Sequence, residues 1–357
     1  MNQLSQKSGL KFLIIRRDNI GDLVCTTPVF TALRQRFPAA RICALVNSYN
    51  APVLAGHPAV DRLFVYTKLK HRAPGQSRLR LLWQRLRMHR ELKKIGFDYI
   101  LLPGDQPRLL RFAHGLHPKH IVMFGQTPVA SKIVTIQPAQ DAEHETQAVY
   151  RLLGPLDIHG TPPATSIVPD TIEVDKARAV LAAQLAAAPA IAIHISARKP
   201  SQRWPADSFV QLIRGLHERH GARFMLFWSP GAEDNPLHPG DDNKAAEIMR
   251  GLADIPILAF PTHTLQALIG GLSVCDFVIC SDGGAMHLAA ALGKPIVCFF
   301  GKSNAARWHP WSVPHVVLQT PSREVDDIAP QEALSAFEQL IMTPGIQLNS
   351  PSKPPLP

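Results

Sequence analysis

Residues 11–37 read KFLIIRRDNIGDLVCTTPVFTALRQRF. Lys11–Ile15 is a short apolar run of the kind buried on both faces of a sheet. A polar turn with Gly21 follows, then apolar residues at helical spacing from Asp22 to Phe37, where Pro38 ends the helix. Strand, polar turn and helix make the repeating unit of a parallel sheet. The same alternation predicts strands at Arg41–Val46, Arg62–Tyr66, Tyr99–Leu102 and His120–Phe124, and a closing helix near Glu143–Leu153. A second series has strands at Ala190–Ile195, Arg223–Trp228, Ile257–Phe260, Phe277–Cys280 and Ile296–Phe300, with a late helix at Pro330–Ile341. Pro155, Pro162, Pro163 and Pro169 separate the two series as a linker.

The expected fold class is therefore α/β, with two Rossmann-like parallel-sheet domains facing each other across a cleft. Their expected spans are residues 1–165 and 166–342. Residues 343–357, rich in Pro and Ser, are expected to be a disordered tail. The length of 357 residues and 46% apolar content support two cores, and 18% charged residues is low for a disordered chain. No signal-peptide pattern and no run of roughly 20 apolar residues is seen, so a cytoplasmic protein is expected. Cys25, Cys43, Cys275, Cys280 and Cys298 are scattered without a CxxC pair and read as reduced core thiols.

The net charge of +10 suits an anionic partner. Much of it lies between Lys68 and Lys94, where ten basic residues face one acid, Glu91. Leu79, Leu82, Trp83 and Leu86 recur there at helical spacing. The segment reads either as a solvated helix or as a surface for a membrane or lipid phosphate. No nucleic-acid module is present. His114, His117 and His120 are regularly spaced but lack an acidic or cysteine partner, and no metal site is expected.

Chemistry in such a fold belongs in the loops after the strands. After the first strand, Gly21 permits a tight turn and Asp22 opens a helix, either as a plain helix-terminal acid or as a base at the cleft. Arg16 and Arg17 would hold anionic acceptor groups or pair with Asp18 and Asp22. After Phe277–Cys280, Asp282, Gly283, Gly284 and His287 place two glycines at a helix start. Amide groups there can cradle a diphosphate while His287 donates to it. After Ala190–Ile195, the run Ser196 to Pro205 combines hydroxyl and basic groups before a Pro-started helix. Glu233, after Arg223–Trp228, suits a ribose or sugar hydroxyl, or a plain turn. Gly301-Lys302-Ser303 lacks the first glycine of a P-loop, since Ile296 stands there, and no GxGxxG follows any strand.

Three stretches carry a resemblance. They are KFLIIRRDNIGDLVCTTPVFTALRQRFPAARI (11–42), IAIHISARKPSQRWPADSFVQLI (191–213) and VCDFVICSDGGAMHLAAALGKPIVCFFGKSNAARWHPW (274–311). In that order, to about Pro314, the chain resembles glycosyltransferase family 9, the ADP-heptose:lipopolysaccharide heptosyltransferases. The resemblance implies a GT-B fold and a metal-independent, inverting transfer without a cofactor. It implies an ADP-heptose donor and an anionic glycolipid acceptor in the lipopolysaccharide inner core of a Gram-negative bacterium. Peripheral contact with the cytoplasmic face of the inner membrane would go with such an acceptor. Asp22 matches the family's base, and Ser196, Ala197, Glu233, Asp282, Gly283, Gly284 and His287 match its donor contacts. The family carries a diphosphate-binding lysine where this chain has Gln202; Lys199, Arg203 or Arg198 would supply the charge. With Ala197 in place of the family's second hydroxyl, this leaves a member with an altered donor, or without catalysis, as the alternative.

Overall fold

In a computed structural model, the described residues are 9–67, 77–104, 107–125, 132–138, 140–182, 188–234 and 240–346. The chain divides into two compact units, Met1–Val168 and Pro169–Pro357. Ser166 stays with the first unit: its amide donates to Thr27 Oγ1, and its hydroxyl bonds His57 Nε2.

The first unit runs β1 (Lys11–Ile15), α1 (Ile20–Val24), α2 (Thr27–Arg36), β2 (Arg41–Asn47) and β3 (Arg62–Tyr66). It continues through α3 (Arg78–Ile95), β4 (Tyr99–Leu102), α4 (Pro107–Gly115), β5 (His120–Phe124), β6 (Ile133–Ile136) and α5 (Glu145–Tyr150). All pairings are parallel and the strand order is β3-β2-β1-β4-β5-β6. The central strands are apolar on both faces and nearly solvent-free, as a sheet covered on both sides requires.

The expected single helix from Asp22 to Phe37 is two helices. Pro28, at the start of α2, has no amide to donate to the preceding turn, so the chain restarts there. Thr26 Oγ1 donates to the Asp22 carbonyl and Thr27 Oγ1 to that of Val24, satisfying carbonyls exposed by the break. The helix expected at 143–153 is α5 followed by a 3₁₀ segment, Arg151–Leu156, which contains Pro155.

The second unit runs α6 (Thr171–Ala182), β7 (Ala190–His194), α7 (Ala206–His220), β8 (Arg223–Trp228), α8 (Asp242–Gly251) and β9 (Ile257–Pro261). It continues through α9 (Leu265–Val274), β10 (Phe277–Ser281), α10 (Gly284–Ala291), β11 (Ile296–Phe299), α11 (Ala305–Trp308), β12 (His315–Leu318) and α12 (Pro330–Ile341). Its parallel sheet is ordered β12-β11-β10-β7-β8-β9. Counted from its own first strand, this is the strand order of the first unit. The edge strands β6 and β12 and helix α6 were not expected from the sequence. Of the expected tail, residues 343–346 are described, and Ile346 packs on the core of the second unit. Residues 347–357 lie outside the described residues.

In each sheet the chain leaves the first strand toward one edge and later returns to build toward the other. The switch falls between β1 and β4 in the first unit and between β7 and β10 in the second. Ligands of open α/β sheets bind outside the strand C-termini at such a switch.

Candidate active site

In the first unit the loop after β1 is organised around Arg16, whose side chain is buried. Its Nη2 donates to Asp22 Oδ1 and to Glu145 Oε1, each at 2.7 Å. Nη1 donates to the Pro103 carbonyl just after β4, at 3.0 Å, and Nε lies 3.1 Å from Asp18 Oδ1. One guanidinium thus gathers three carboxylates at the switch between β1 and β4. Burial works against the Arg16 charge, but Asp18, Asp22 and Glu145 outweigh it and hold the group protonated. Burial also pushes Asp18 up to about 6, with Arg16 opposing and Asp22 adding like-charge repulsion. The second oxygen of Asp22 accepts from the Asn19 amide at 3.2 Å and from Asn19 Nδ2 at 2.9 Å. Asp22 is therefore a helix-start acid, and at the same time a carboxylate fixed in orientation from both sides.

The loop is pinned from β2. Asn47 Nδ2 donates to the carbonyls of Arg17 and Asp18, both at 3.0 Å, and Asn47 and Asn50 bond each other. Of the two readings the sequence offers for Arg16, the structure shows the pairing with Asp18 and Asp22, with Glu145 as a third partner. Arg17 differs: it is half-buried, with its guanidinium 4.5 Å from the Tyr66 ring centroid. Arg85 of α3 lies 4.4 Å from the same centroid and donates to the Thr67 carbonyl. Burial pulls Arg17 below its ordinary value; Tyr66 opposes this and Arg85 adds to it by repulsion.

In the second unit the loop after β7 is anchored by Trp204. Its indole is fully buried against Phe209 and Phe299 and donates to the Ile328 carbonyl at 2.9 Å. Pro200 starts a short 3₁₀ turn, Pro200–Gln202, that carries Gln202 to the end of β10. Gln202 Nε2 donates to Asp282 Oδ2 at 2.6 Å and to Ser303 Oγ at 3.0 Å, and Lys199 Nζ donates to Ser303 Oγ at 3.2 Å. Ser303 belongs to the glycine-lysine-serine run after β11 that failed as a P-loop. Gly301 is needed there, because a Cβ would collide with the Ser201 carbonyl oxygen. Gln319 fixes the run by donating to the Gly301 and Ser303 carbonyls.

The start of α10 has a different glycine. The backbone of Gly283 is extended, which any residue adopts, and a Cβ at 283 would meet nothing within 4 Å. Neither backbone conformation nor packing within the protein accounts for glycine at this position; close approach of a ligand to the helix start would. His287, one turn on, is buried, with its ring edge-on to Trp308.

On the other flank of β7, Ser196 Oγ accepts the Ser229 amide at 2.8 Å and bonds the buried Asp241. Lys244 Nζ donates to the Ile195 carbonyl at 3.3 Å and sits 5.0 Å from the Phe209 ring. Burial lowers Lys244 to about 8, against the attraction of Asp241. Arg203 Nε donates to the Ala197 carbonyl at 3.1 Å, and Glu233 is exposed nearby. Thus Lys199, Gln202, Asp282 and Ser303 form one cluster, and Ser196, Arg203, Asp241 and Lys244 another, on either side of β7. Glu145, Asn47, Asp241, Lys244 and Ser303 were not singled out in the sequence, where only the glycine-lysine-serine pattern at Ser303 gave a signal. Among the described residues, no group of three or more His, Cys, Asp or Glu is set to hold a metal.

Residues 125–334 match the model of glycosyltransferase family 9 (heptosyltransferase). Lipopolysaccharide heptosyltransferase 3 of Escherichia coli K12 is 25% identical over 299 residues, 82% of this chain and 83% of that protein. A family 9 glycosyltransferase of Veillonella parvula superposes with a TM-score of 0.77 at 19% identity, covering 93% of this chain and 97% of that one. Heptosyltransferase WaaC of Escherichia coli, solved with ADP, gives 0.72 at 18% identity, over 93% of this chain and 100% of that one. The structural likenesses show the fold: the two Rossmann-like sheets are those of the GT-B class. The family match extends over more than half of the chain. The chain belongs to glycosyltransferase family 9, the heptosyltransferases, and is a glycosyltransferase.

Proposed function

We propose that the protein transfers a heptose from ADP-heptose to a sugar hydroxyl of a lipopolysaccharide inner-core acceptor, with inversion and with Asp22 as general base. The observation that carries the reading is the carboxylate cluster at the switch of the first unit, held by Arg16 at the position matching the family's base. The acceptor oxygen attacks the anomeric carbon and its proton passes to Asp22, while the bond from that carbon to the diphosphate breaks and ADP leaves. A carboxylate fixed by Arg16 and Asn19 is oriented before the substrate arrives, which a free surface acid is not. Arg17 is the acceptor-side cation, since an anionic group beside it would relieve the repulsion from Arg85. In the second unit, the Gly283 and Gly284 amides, His287, Lys199 and Arg203 receive the charge that develops on the leaving diphosphate. Gln202 ties Asp282 to Ser303 and so positions Lys199. Ser196, Ala197 and Glu233 complete the donor contacts. Support for ADP-heptose comes from the names of the relatives and from the ADP-bound heptosyltransferase.

The test is a reaction with β-configured ADP-heptose and with ADP-glucose, on a defined inner-core acceptor, followed by NMR of the new linkage. An α-linked heptose is expected. A β-linked heptose would overturn inversion, and transfer of glucose alone would establish the altered-donor reading.

A second expectation concerns the cradle. Gly283→Ala is expected to keep the wild-type melting temperature, because the added methyl meets no protein atom. ADP binding should weaken by about 1–3 kcal/mol, the usual cost of crowding a close contact. Lys199→Ala should weaken ADP by a similar amount through loss of a charge-assisted contact, and leave adenosine unaffected. Calorimetry with ADP and adenosine checks both. Wild-type ADP affinity in both variants would move the diphosphate elsewhere.

A further inference from the structure

Helix α3 turns its apolar stripe the wrong way for a core. Leu79, Leu82, Trp83 and Leu86 are 73%, 51%, 68% and 45% exposed, whereas Leu81, Leu92 and Ile95 are buried and Met88 packs against them. At about 100° per residue, the four exposed side chains span roughly 100° of the helix, centred opposite the buried ones. Helix α3 therefore has two apolar faces, and among the described residues only the inner one is covered. Farther along the outward face the residues become basic: Arg90, Lys93 and Lys94 are exposed. The acid of the helix, Glu91, is held by Arg62 and Arg87. Arg85, which the sequence grouped with this surface, points inward to Tyr66 and Thr67. Lys68, Lys70 and Arg72 lie outside the described residues, as does the side chain of Arg78.

We propose that the outward face of α3 is a docking surface for an anionic lipid bilayer, with Leu79, Leu82, Trp83 and Leu86 entering the headgroup–acyl boundary and Arg90, Lys93 and Lys94 remaining among the lipid phosphates. The charge pattern selects this occupant. Self-pairing of this face would cover the leucines and the tryptophan but offer no anionic group to Arg90, Lys93 and Lys94, and an aqueous partner does not call for a leucine–tryptophan wedge bordered by cations. A helix that lies in the interface needs this combination of a narrow apolar face and flanking lysine and arginine. Tryptophan is favoured at that depth because its ring has an apolar body and a polar N–H. No described helix is long and apolar enough to cross a membrane, so the contact is peripheral.

The test needs neither donor nor acceptor, so its failure leaves the transfer reading untouched. The full chain is floated with vesicles of equal parts phosphatidylglycerol and phosphatidylcholine, and with vesicles of phosphatidylcholine alone. Binding to the anionic vesicles is expected, weakened by salt, with tryptophan emission quenched by brominated acyl chains. The double variant Leu82→Ala/Trp83→Ala is expected to lose more than about tenfold in partitioning, together with the quenching. Arg90→Gln/Lys94→Gln should lose about tenfold at low salt. All seven residues named in the wedge and the cation group are exposed, and circular dichroism of each variant checks that the fold is kept. Absence of flotation at low salt overturns the proposal. So does flotation that survives the apolar variant with unquenched emission, which is adsorption by charge alone. A dimer in sedimentation that dissociates in the Trp83 variant, without vesicle binding, gives the face to a second copy and overturns it equally.

Discussion

Asp22→Asn is expected to lower the single-turnover rate about 10²–10⁴-fold, the usual contribution of a positioned base. Asparagine keeps the size of the side chain and one acceptor oxygen, but cannot take a proton from the acceptor hydroxyl. Its cost to the fold is small, because α1 is only five residues long and the Asn19 contacts are exposed. A weakened helix cap costs about 1 kcal/mol. ADP affinity should not move, since the residues assigned to the donor lie in the second unit. Single-turnover kinetics beside ADP calorimetry on the folded variant decide the matter. A near-normal rate removes Asp22 as the base and turns to Asp18, which shares Arg16 and is pushed up to about 6 by burial.

Arg16→Met should have the largest effect on stability, a loss of about 3–5 kcal/mol near pH 7. Methionine fills much of the arginine volume but leaves Asp18, Asp22 and Glu145 facing one another without a cation. The loss should shrink in acid. Asp18 already titrates near 6 when folded, above its ordinary value of 3.8, and Arg16 is among the groups holding it down. A carboxyl whose folded value is raised binds protons more tightly when folded than when unfolded. Its favourable contribution is complete below the unfolded value and is lost as pH rises through the folded one. Without Arg16 the folded value rises further and the window widens upward from pH 4. Urea unfolding at pH 7.5 and pH 4.5 checks this: the difference between variant and wild type should be clearly smaller at the lower pH. Equal losses at both would mean that the carboxylates do not depend on Arg16 for their charge.

The central strands were legible because burial on both faces leaves an unbroken apolar run, as in Lys11–Ile15 and Phe277–Ser281. The edge strands β6 and β12 were not. Each has four residues, and most are only partly buried, so neither an unbroken apolar run nor alternation marks them. Helix α6 was hidden by the prolines before it and by its sparse apolar pattern, with Ala177 its fully buried side chain. The break between α1 and α2 was legible in principle, since Pro28 stands inside the apparent helix. The loops carrying the site could be located, because strand ends can be counted. Which side chains meet could not: Arg16 finds Glu145, and Gln202 finds Ser303, through tertiary packing that no local pattern encodes. The pairing of Arg16 with its neighbours Asp18 and Asp22 was legible as one of two readings, whereas its third partner, Glu145, was not.

The bond from Arg16 to Glu145 spans 129 positions of sequence. Arg16, Asp18 and Asp22 are made early in synthesis, but the carboxylate that completes their arrangement arrives with α5, the last helix of the first unit. At roughly 5–20 residues per second, a ribosome takes about 6–26 s to travel between the two. Throughout that interval the nascent chain carries the loop after β1 without one of the three carboxylates that Arg16 gathers. The loop after β1 is thus completed only when α5 docks, and a chain that ends before residue 145 leaves Arg16 with two carboxylates in place of three.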